Sequence, residues 1–324
     1  MLKENKAFIK DKKWFSIVHF YFKYATTSYF FSPIKCFIGF FVILLVLNMW
    51  LITHSVDYFV VPSCVCVGMI RNTTQLFFLQ LKQYRESCLH ARIKYIKKTL
   101  APYIGFMLSN LLINIIIILL TLGNAFIYKS QRDLLGNINW FYFIFGILLL
   151  WLLLISMAYS LYIYSRNLLA SYCISITFYI FAVYYLGCAY PYYVIKEYAF
   201  IDNAMYFFPP KYIVNVVQAS YVNATDLYFV FYKSNKSISV DYGMGHNIWY
   251  PILISIGFIL LLSFLTILKW KINNIKAQSN FININSIKNI QDKYQKKIAQ
   301  CLTIDEVNII HNNFKENFEN KTSK

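Results

Sequence analysis

Six apolar runs, at residues 34–52, 59–81, 104–122, 140–163, 168–190 and 249–268, constrain this chain more than any other feature of its sequence. A helix crosses a hydrocarbon layer of about 30 Å with about 20 apolar residues, and each run reaches that length. A water-soluble alternative would have to bury the apolar surface of a chain that is 58% hydrophobic and only 14% charged. A core of ordinary size cannot absorb that much. The fold class expected is therefore an all-α integral membrane protein with six transmembrane helices. An even number of crossings returns both termini to the same side.

Which side is read from the basic residues. Lys and Arg number 31 against 14 Asp and Glu, a net charge of +17. In a soluble protein such an excess would point to nucleic acid, but here its distribution is a topology signal, and no nucleic-acid partner is expected. Lys3, Lys6, Lys10, Lys12, Lys13, Lys23 and Lys35 precede or open the first run, and Lys82, Arg85, Arg92, Lys94, Lys97 and Lys98 follow the second. Arg166 follows the fourth, and Lys269, Lys271 and Lys276 follow the sixth. On the opposite side there is no Lys or Arg between the first two runs, and only Lys129 and Arg132 between the third and fourth. Both termini are expected in the cytoplasm of a multi-pass protein of the plasma membrane. No cleavable signal peptide is expected, because about thirty polar, aromatic and basic positions come before the first run.

The segments around the runs have patterns of their own. Within residues 1–33, Trp14, Val18, Tyr21, Phe22 and Ala25 recur at helical spacing with Lys12, Lys13, Ser16 and Lys23 between them. This predicts an amphipathic elbow helix lying in the membrane interface and ending at Ser32-Pro33. Residues 34–270 form the six-helix domain. Inside it, residues 82–100 are predicted as a cytoplasmic helix with Leu89, Ile93, Ile96 and Leu100 on one side and Arg92, Lys94, Lys97 and Lys98 on others. Residues 191–247 form the extracellular region. Its parts at 190–193 and 206–210 are too apolar for a solvated loop and are predicted to re-enter the outer leaflet, where neighbouring helices must cover their backbone. Residues 223–245 are more polar and face the exterior. Residues 271–324 form a cytoplasmic tail, in which Ile287, Ile290, Tyr294 and Ile298 keep helical spacing and Thr303 with Glu306 makes a capping box.

The chemistry the chain lacks is as informative. It has no Gly-rich phosphate loop ending in Gly-Lys-Ser/Thr, so any ATP it uses is hydrolysed by another chain. His19, His54, His90, His246 and His311 are scattered without ligand spacing, and no metal site is expected. The seven cysteines lie mostly inside the runs, where they serve packing and not a disulfide framework. Carboxylates sit in loops and tails, which offers no catalytic set and argues against a proton-coupled carrier. The exception inside the membrane is Arg71, near the middle of the second run and followed by Asn72, Thr73, Thr74 and Gln75. A cation there is costly unless it faces a partner or water, which marks Arg71 as a candidate for a substrate path together with Asn48, Thr74 and Gln75. The alternative is a tilted span from which Arg71 snorkels.

Several short motifs follow one another in a fixed order. The amphipathic segment ends at Ser32-Pro33, Pro62 opens the second run, and Arg85-Glu86-Ser87-Cys88 follows it, with Pro102 after the next helix. Further on stand Gly187-Cys188-Ala189-Tyr190-Pro191 and Phe207-Phe208-Pro209-Pro210-Lys211-Tyr212. In order and spacing they resemble the membrane subunit of ATP-binding-cassette exporters of the type-2 permease family, over about residues 14–270. Cys88 stands where that family has a Gly. The resemblance implies a permease that works as a dimer, with an identical or a different second permease chain, among membrane lipids. A cytoplasmic ATPase subunit would dock on a coupling helix through Arg85, Glu86, Leu89, Arg92, Ile93 and Ile96. The chain itself would hold no cofactor, ATP and Mg being bound by that ATPase. A central path would run between the first, second and fifth crossings, with an outer gate at Gly187, Pro191, Pro209 and Pro210, and a lipid, drug-like or peptide cargo would move outward.

Two other classes are weighed against this one. An integral membrane enzyme acting on lipid intermediates would want clustered carboxylates or histidines at the membrane face, and the sequence offers none. A non-transporting scaffold or receptor would bind through residues 280–324.

Overall fold

A computed structural model describes residues 2–54, 57–86, 100–164, 168–186, 190–233, 236–245 and 247–298. The chain divides into two compact units, Met1–Thr266 and Ile267–Lys324. In the second, the described part is a helix that continues through Ile298. Everything that follows concerns the first.

Its helices are α1 (Leu2–Phe30), α2 (Pro33–Thr53, with a π-helical stretch Phe37–Phe41) and α3. α3 joins Val60–Arg71, the π-helical Asn72–Phe77 and Phe78–Glu86 without a break. Then come α4 (Ala101–Ala125), α5 (Lys129–Gly136), α6 (Trp140–Tyr164) and α7 (Leu168–Tyr185). Three short helices follow, α8 (Tyr192–Lys196), α9 (Ala199–Met205) and α10 (Pro210–Tyr221), and after them a hairpin of β1 (Tyr228–Lys233) and β2 (Lys236–Asp241). α11 begins at Trp249.

Among the described residues four helices are long and apolar enough to cross a membrane: Pro33–Thr53, Ala101–Ala125, Trp140–Tyr164 and Trp249–Asn273. They are the first, third, fourth and sixth apolar runs, and they make this a mostly helical membrane protein. The fifth run forms a shorter apolar helix, Ala170–Tyr184. The second run is α3, long enough to cross but made polar in its second half by Arg71, Asn72, Thr73, Thr74 and Gln75. Phe37, Phe41, Leu45, Met49 and Ile52 stand exposed along one side of α2, and Leu253, Leu260, Leu261 and Phe264 along α11. Such stripes belong against lipid.

α3 is the centre of the bundle. Every residue of it from Val60 to Ile70 is buried, as expected for a helix packed on all sides. Small side chains make that possible: a side-chain carbon at Gly68 would lie 2.9 Å from Ile117 of α4 and 3.2 Å from Ile43 of α2.

Two features go beyond the sequence expectation. The last turns of α1, the segment expected as an elbow helix, run alongside the first half of α4. A side-chain carbon at Gly105 would come within 2.7 Å of the Val18 carbonyl, and further along both helices Thr26 donates to Ser109 at 2.9 Å. Gln80 of α3 reaches the Ala25 carbonyl at 3.2 Å and ties α1 to the central helix as well. The second is the hairpin, antiparallel from Tyr228↔Asp241 to Lys233↔Lys236, within a chain expected to be all-α.

Candidate functional site

The burial pattern along α3 defines the site. From Asp57 to Ile70 the described residues are buried without interruption, and from Arg71 onward one stripe opens: Arg71, Gln75 and Leu79 are partly exposed at intervals of four, and Gln83 is exposed. Residues four apart share a helix face, so the open positions form a single groove. It runs about 18 Å, at about 1.5 Å per residue, from the charged end of α3 to the Arg71 guanidinium, where it stops. At its mouth the Lys35 ammonium of α2 donates to the Gln83 side-chain carbonyl at 3.1 Å. At its head the guanidinium carbon lies 5.5 Å from the centre of the Tyr179 ring of α7. Such a contact attracts a cation to the ring face, yet Arg71 Nε is buried with no hydrogen-bond partner. The Tyr29 hydroxyl at the end of α1 is also buried without one.

The groove lies at the π-helical stretch of α3, which is the kind of local widening that recurs at functional sites. The opposite face of that stretch is tied down. Asn72 donates to Asn114 at 2.8 Å, and Asn114 donates to Thr73 at 3.2 Å and to Asn110 at 3.0 Å. Asn110 Oδ1 also accepts from Thr73 at 3.3 Å and from the Trp151 indole at 3.1 Å. This network locks α3, α4 and α6 together at one depth, which is how polar side chains hold helices together where no water competes.

Above Arg71 the site is closed. Helix α10, begun by Pro209 and Pro210 where a helix can spare an N–H, is buried at all twelve of its residues. Gly146 of α6 lets it approach, because a side-chain carbon there would sit 2.8 Å from Val217. Gln218 Nε2 donates to Ser63 of α3 at 2.9 Å, while Gln218 Oε1 accepts from Tyr242 at 3.0 Å. Tyr221 donates to Gln131 at 3.1 Å, and Gln131 in turn donates to the Asp57 carbonyl at 3.3 Å. Between them Asn215, fully buried, has neither its amide nitrogen nor its oxygen paired.

Lys211 fastens the far end of the closed region. It is 1% exposed, and its ammonium lies 2.7 Å from the Asp202 carboxylate, 3.8 Å from the Tyr206 ring centre and 4.9 Å from that of Tyr192. Tyr192 also donates to Asp202. Burial pulls the Lys211 ammonium below the usual lysine range, and Asp202 opposes that shift through its hydrogen bond and its charge. Tyr206 donates to the Gly243 carbonyl at 2.8 Å, where φ is +70 and a side chain would strike the Tyr206 hydroxyl. Lys196 pairs with Asp241 at 2.6 Å, so the hairpin is held against α8.

Of the path residues expected from sequence, Arg71 and Gln75 share the groove. Thr74 does not: it is buried, its hydroxyl bonds the Ile70 carbonyl at 2.7 Å, and its own carbonyl accepts from Ser175 of α7 at 2.5 Å. Asn48 lies apart, donating to the Leu44 carbonyl at 2.9 Å and accepting from Tyr128 at 3.1 Å. Arg85 sits at the end of α3, its guanidinium 3.5 Å from the Tyr162 carbonyl and 5.7 Å from the ring of the same residue. Glu86 is the last residue of α3. Leu89, Arg92, Ile93, Ile96 and Gly187 lie outside the described residues. Pro191 opens α8, and Pro209 and Pro210 open α10. Asn110, Asn114, Lys211, Asn215 and Gln218 were not singled out by sequence, although 110 and 114, and 211, 215 and 218, fall at helical spacing in otherwise apolar surroundings.

Comparison with protein-family models, with curated proteins and with solved structures returned no match to this chain. The reading of function therefore rests on the site.

Proposed function

We propose that this chain is the permease subunit of an ATP-binding-cassette exporter of the type-2 kind, with six crossings, both termini in the cytoplasm and its home in the plasma membrane. One observation carries this reading: a central helix whose outer half is enclosed on every side and whose inner half carries one polar groove that ends at an intramembrane arginine. A carrier resting in its inward-facing state needs that asymmetry, with an opening on the side where cargo is loaded and a closed barrier beyond it. α8, α9 and α10 serve as the outer gate, with α10 as the re-entrant element. Cargo is drawn into the groove from the cytoplasmic side and released outward when the barrier parts.

The driving force comes from a separate ATPase that binds ATP and Mg and docks on residues 82–100. The exposed Arg85 at the end of α3, in contact with the end of α6, is placed to pass a push at that segment to two helices at once. A second permease chain completes the path along the groove side of α3. The test is co-purification of an ATPase subunit and its reconstitution with this chain in vesicles. Vanadate-sensitive ATP hydrolysis is expected, and replacing Arg85 and Glu86 together should abolish its stimulation without lowering the amount of protein in the membrane. A local exposed ion pair would be worth only about 0–1 kcal/mol, so unchanged hydrolysis in the double variant would reduce these residues to topology signals.

A further inference from the structure

Arg71 is a cation near the middle of a membrane protein, and no acidic side chain among the described residues balances it. It makes no ion pair among the described residues, and no acidic residue of the sequence lies in any of the six apolar runs. The nearest along the chain, Asp57 and Glu86, are each about 20 Å away at about 1.5 Å of helix per residue. A second copy of the chain would carry its acids at the same depths, so an identical partner cannot supply the missing charge either. Nor can a resident phospholipid: its headgroup stays at the edge of a layer about 30 Å thick, so roughly 15 Å separates it from the midplane. The anion that answers Arg71 has to be brought to it.

The site is built to receive one. Arg71 is partly exposed, and its Nε is buried without a partner. The unpaired Tyr29 hydroxyl is packed on Gly39 of α2, where a side-chain carbon would collide with it and touch Leu76 of α3, the neighbour of Gln75. Gln75, one turn below, offers a further amide. Leu79 and the aromatic ring of Tyr179 give an apolar flank.

We propose that the head of this groove recognises the anionic group, phosphate or carboxylate, of an amphipathic cargo, with Arg71 as its cation and Tyr29 and Gln75 as donors beside it. This names the substrate class of the permease proposed above and rests on that reading. An amphipath fits where a free ion does not, because Leu79 and the Tyr179 ring beside Arg71 offer apolar contact that only an acyl or aryl tail can use.

The test is equilibrium binding to the purified full chain in nanodiscs of zwitterionic lipid, which requires neither ATPase nor transport. The probes are lysophosphatidate, palmitate, the neutral monopalmitoylglycerol and inorganic phosphate. Lysophosphatidate and palmitate should bind at least about tenfold more tightly than the neutral glyceride, the range a charge-assisted hydrogen bond supplies, and inorganic phosphate more weakly than either. Arg71→Gln should erase the preference for the anions and leave glyceride binding unchanged. Arg71→Lys should retain part of it, Tyr29→Phe should weaken it severalfold, and the distant charge variant Arg132→Gln should leave it intact. If Arg71→Gln fails to fold, the graded series of Arg71→Lys and Tyr29→Phe decides the matter. Equal affinity for the neutral glyceride, an anion preference that survives Arg71→Gln, or inorganic phosphate binding as tightly as lysophosphatidate would overturn the proposal. Anion binding without any ATP-driven transport would sink the permease reading and leave this one standing. Export of a neutral cargo by Arg71→Gln would do the reverse.

Discussion

The two halves of α3 face the same membrane with opposite strategies. The first half, Val60 to Ile70, is built from small and β-branched side chains and is enclosed by α2, α4, α6, α7 and α10. The second half carries amides, hydroxyls and a guanidinium, and keeps one face open. Close approach of backbones, as at Gly68, seals the first half without polar groups of its own beyond Ser63. In the second half three sides are fastened by the Asn72–Asn114–Asn110 network and by the Ser175 contact, which leaves the fourth open. The contrast teaches that rigidity and opening are assigned to different faces of one helix, and that the boundary between them is Arg71.

The closed region is broken most severely at Lys211. Asp202→Asn leaves a buried ammonium without its countercharge, and loss of one partner of such a pair costs about 3–5 kcal/mol. Thermal unfolding in detergent should show that loss, and the double variant Lys211→Met with Asp202→Asn should recover most of it. A smaller effect of opposite sign is expected at Asn215, whose amide has no partner in the closed region. Asn215→Leu removes a desolvation cost of about 1–3 kcal/mol, so the melting temperature should rise, and the proposed transport should fall.

The least effect is a dependence on alkaline pH. Burial first, then the hydrogen bond and charge of Asp202, hold the Tyr192 phenol above its ordinary 10.0. It therefore stays neutral in the folded protein at a pH where the unfolded chain ionises. Its stabilisation is complete below pH 10 and is lost as pH rises, by at most about 1.4 kcal/mol per pH unit. The stability advantage of the wild type over Tyr192→Phe should shrink through that window and stay constant below it.

Much of this was legible in the sequence, and what was not has physical reasons. Length and hydropathy located the lipid-facing helices, because apolar stripes such as Phe37, Phe41 and Leu45 need no partner to be recognised. Arg71 and Gln75 stood out because a charge or an amide in an apolar run is costly wherever it lies. Asn110 and Asn114 did not, since a single amide per turn of a long apolar helix is tolerated and its partners lie in other helices. Thr74 was assigned to the path by adjacency to Arg71, whereas helix geometry turns it toward Ser175. The hairpin had a signal that went unused: two short runs with alternating side chains, Tyr228–Lys233 and Lys236–Asp241, separated by Ser234-Asn235. The course of α1 could not be read at all, because the closeness of Gly105 to Val18 is a tertiary fact with no local pattern.

The central claim is that α3 is open below Arg71 and closed above it. Single cysteines placed at Gln75, Leu79 and Gln83, and at Ser63, Val67 and Ile70, in a background lacking the native cysteines, can be challenged with a membrane-impermeant thiol reagent applied to inside-out vesicles. Rapid labelling at 75, 79 and 83, with none at 63, 67 and 70, is the predicted result. Equal labelling of both sets, or labelling confined to the upper three, would contradict it.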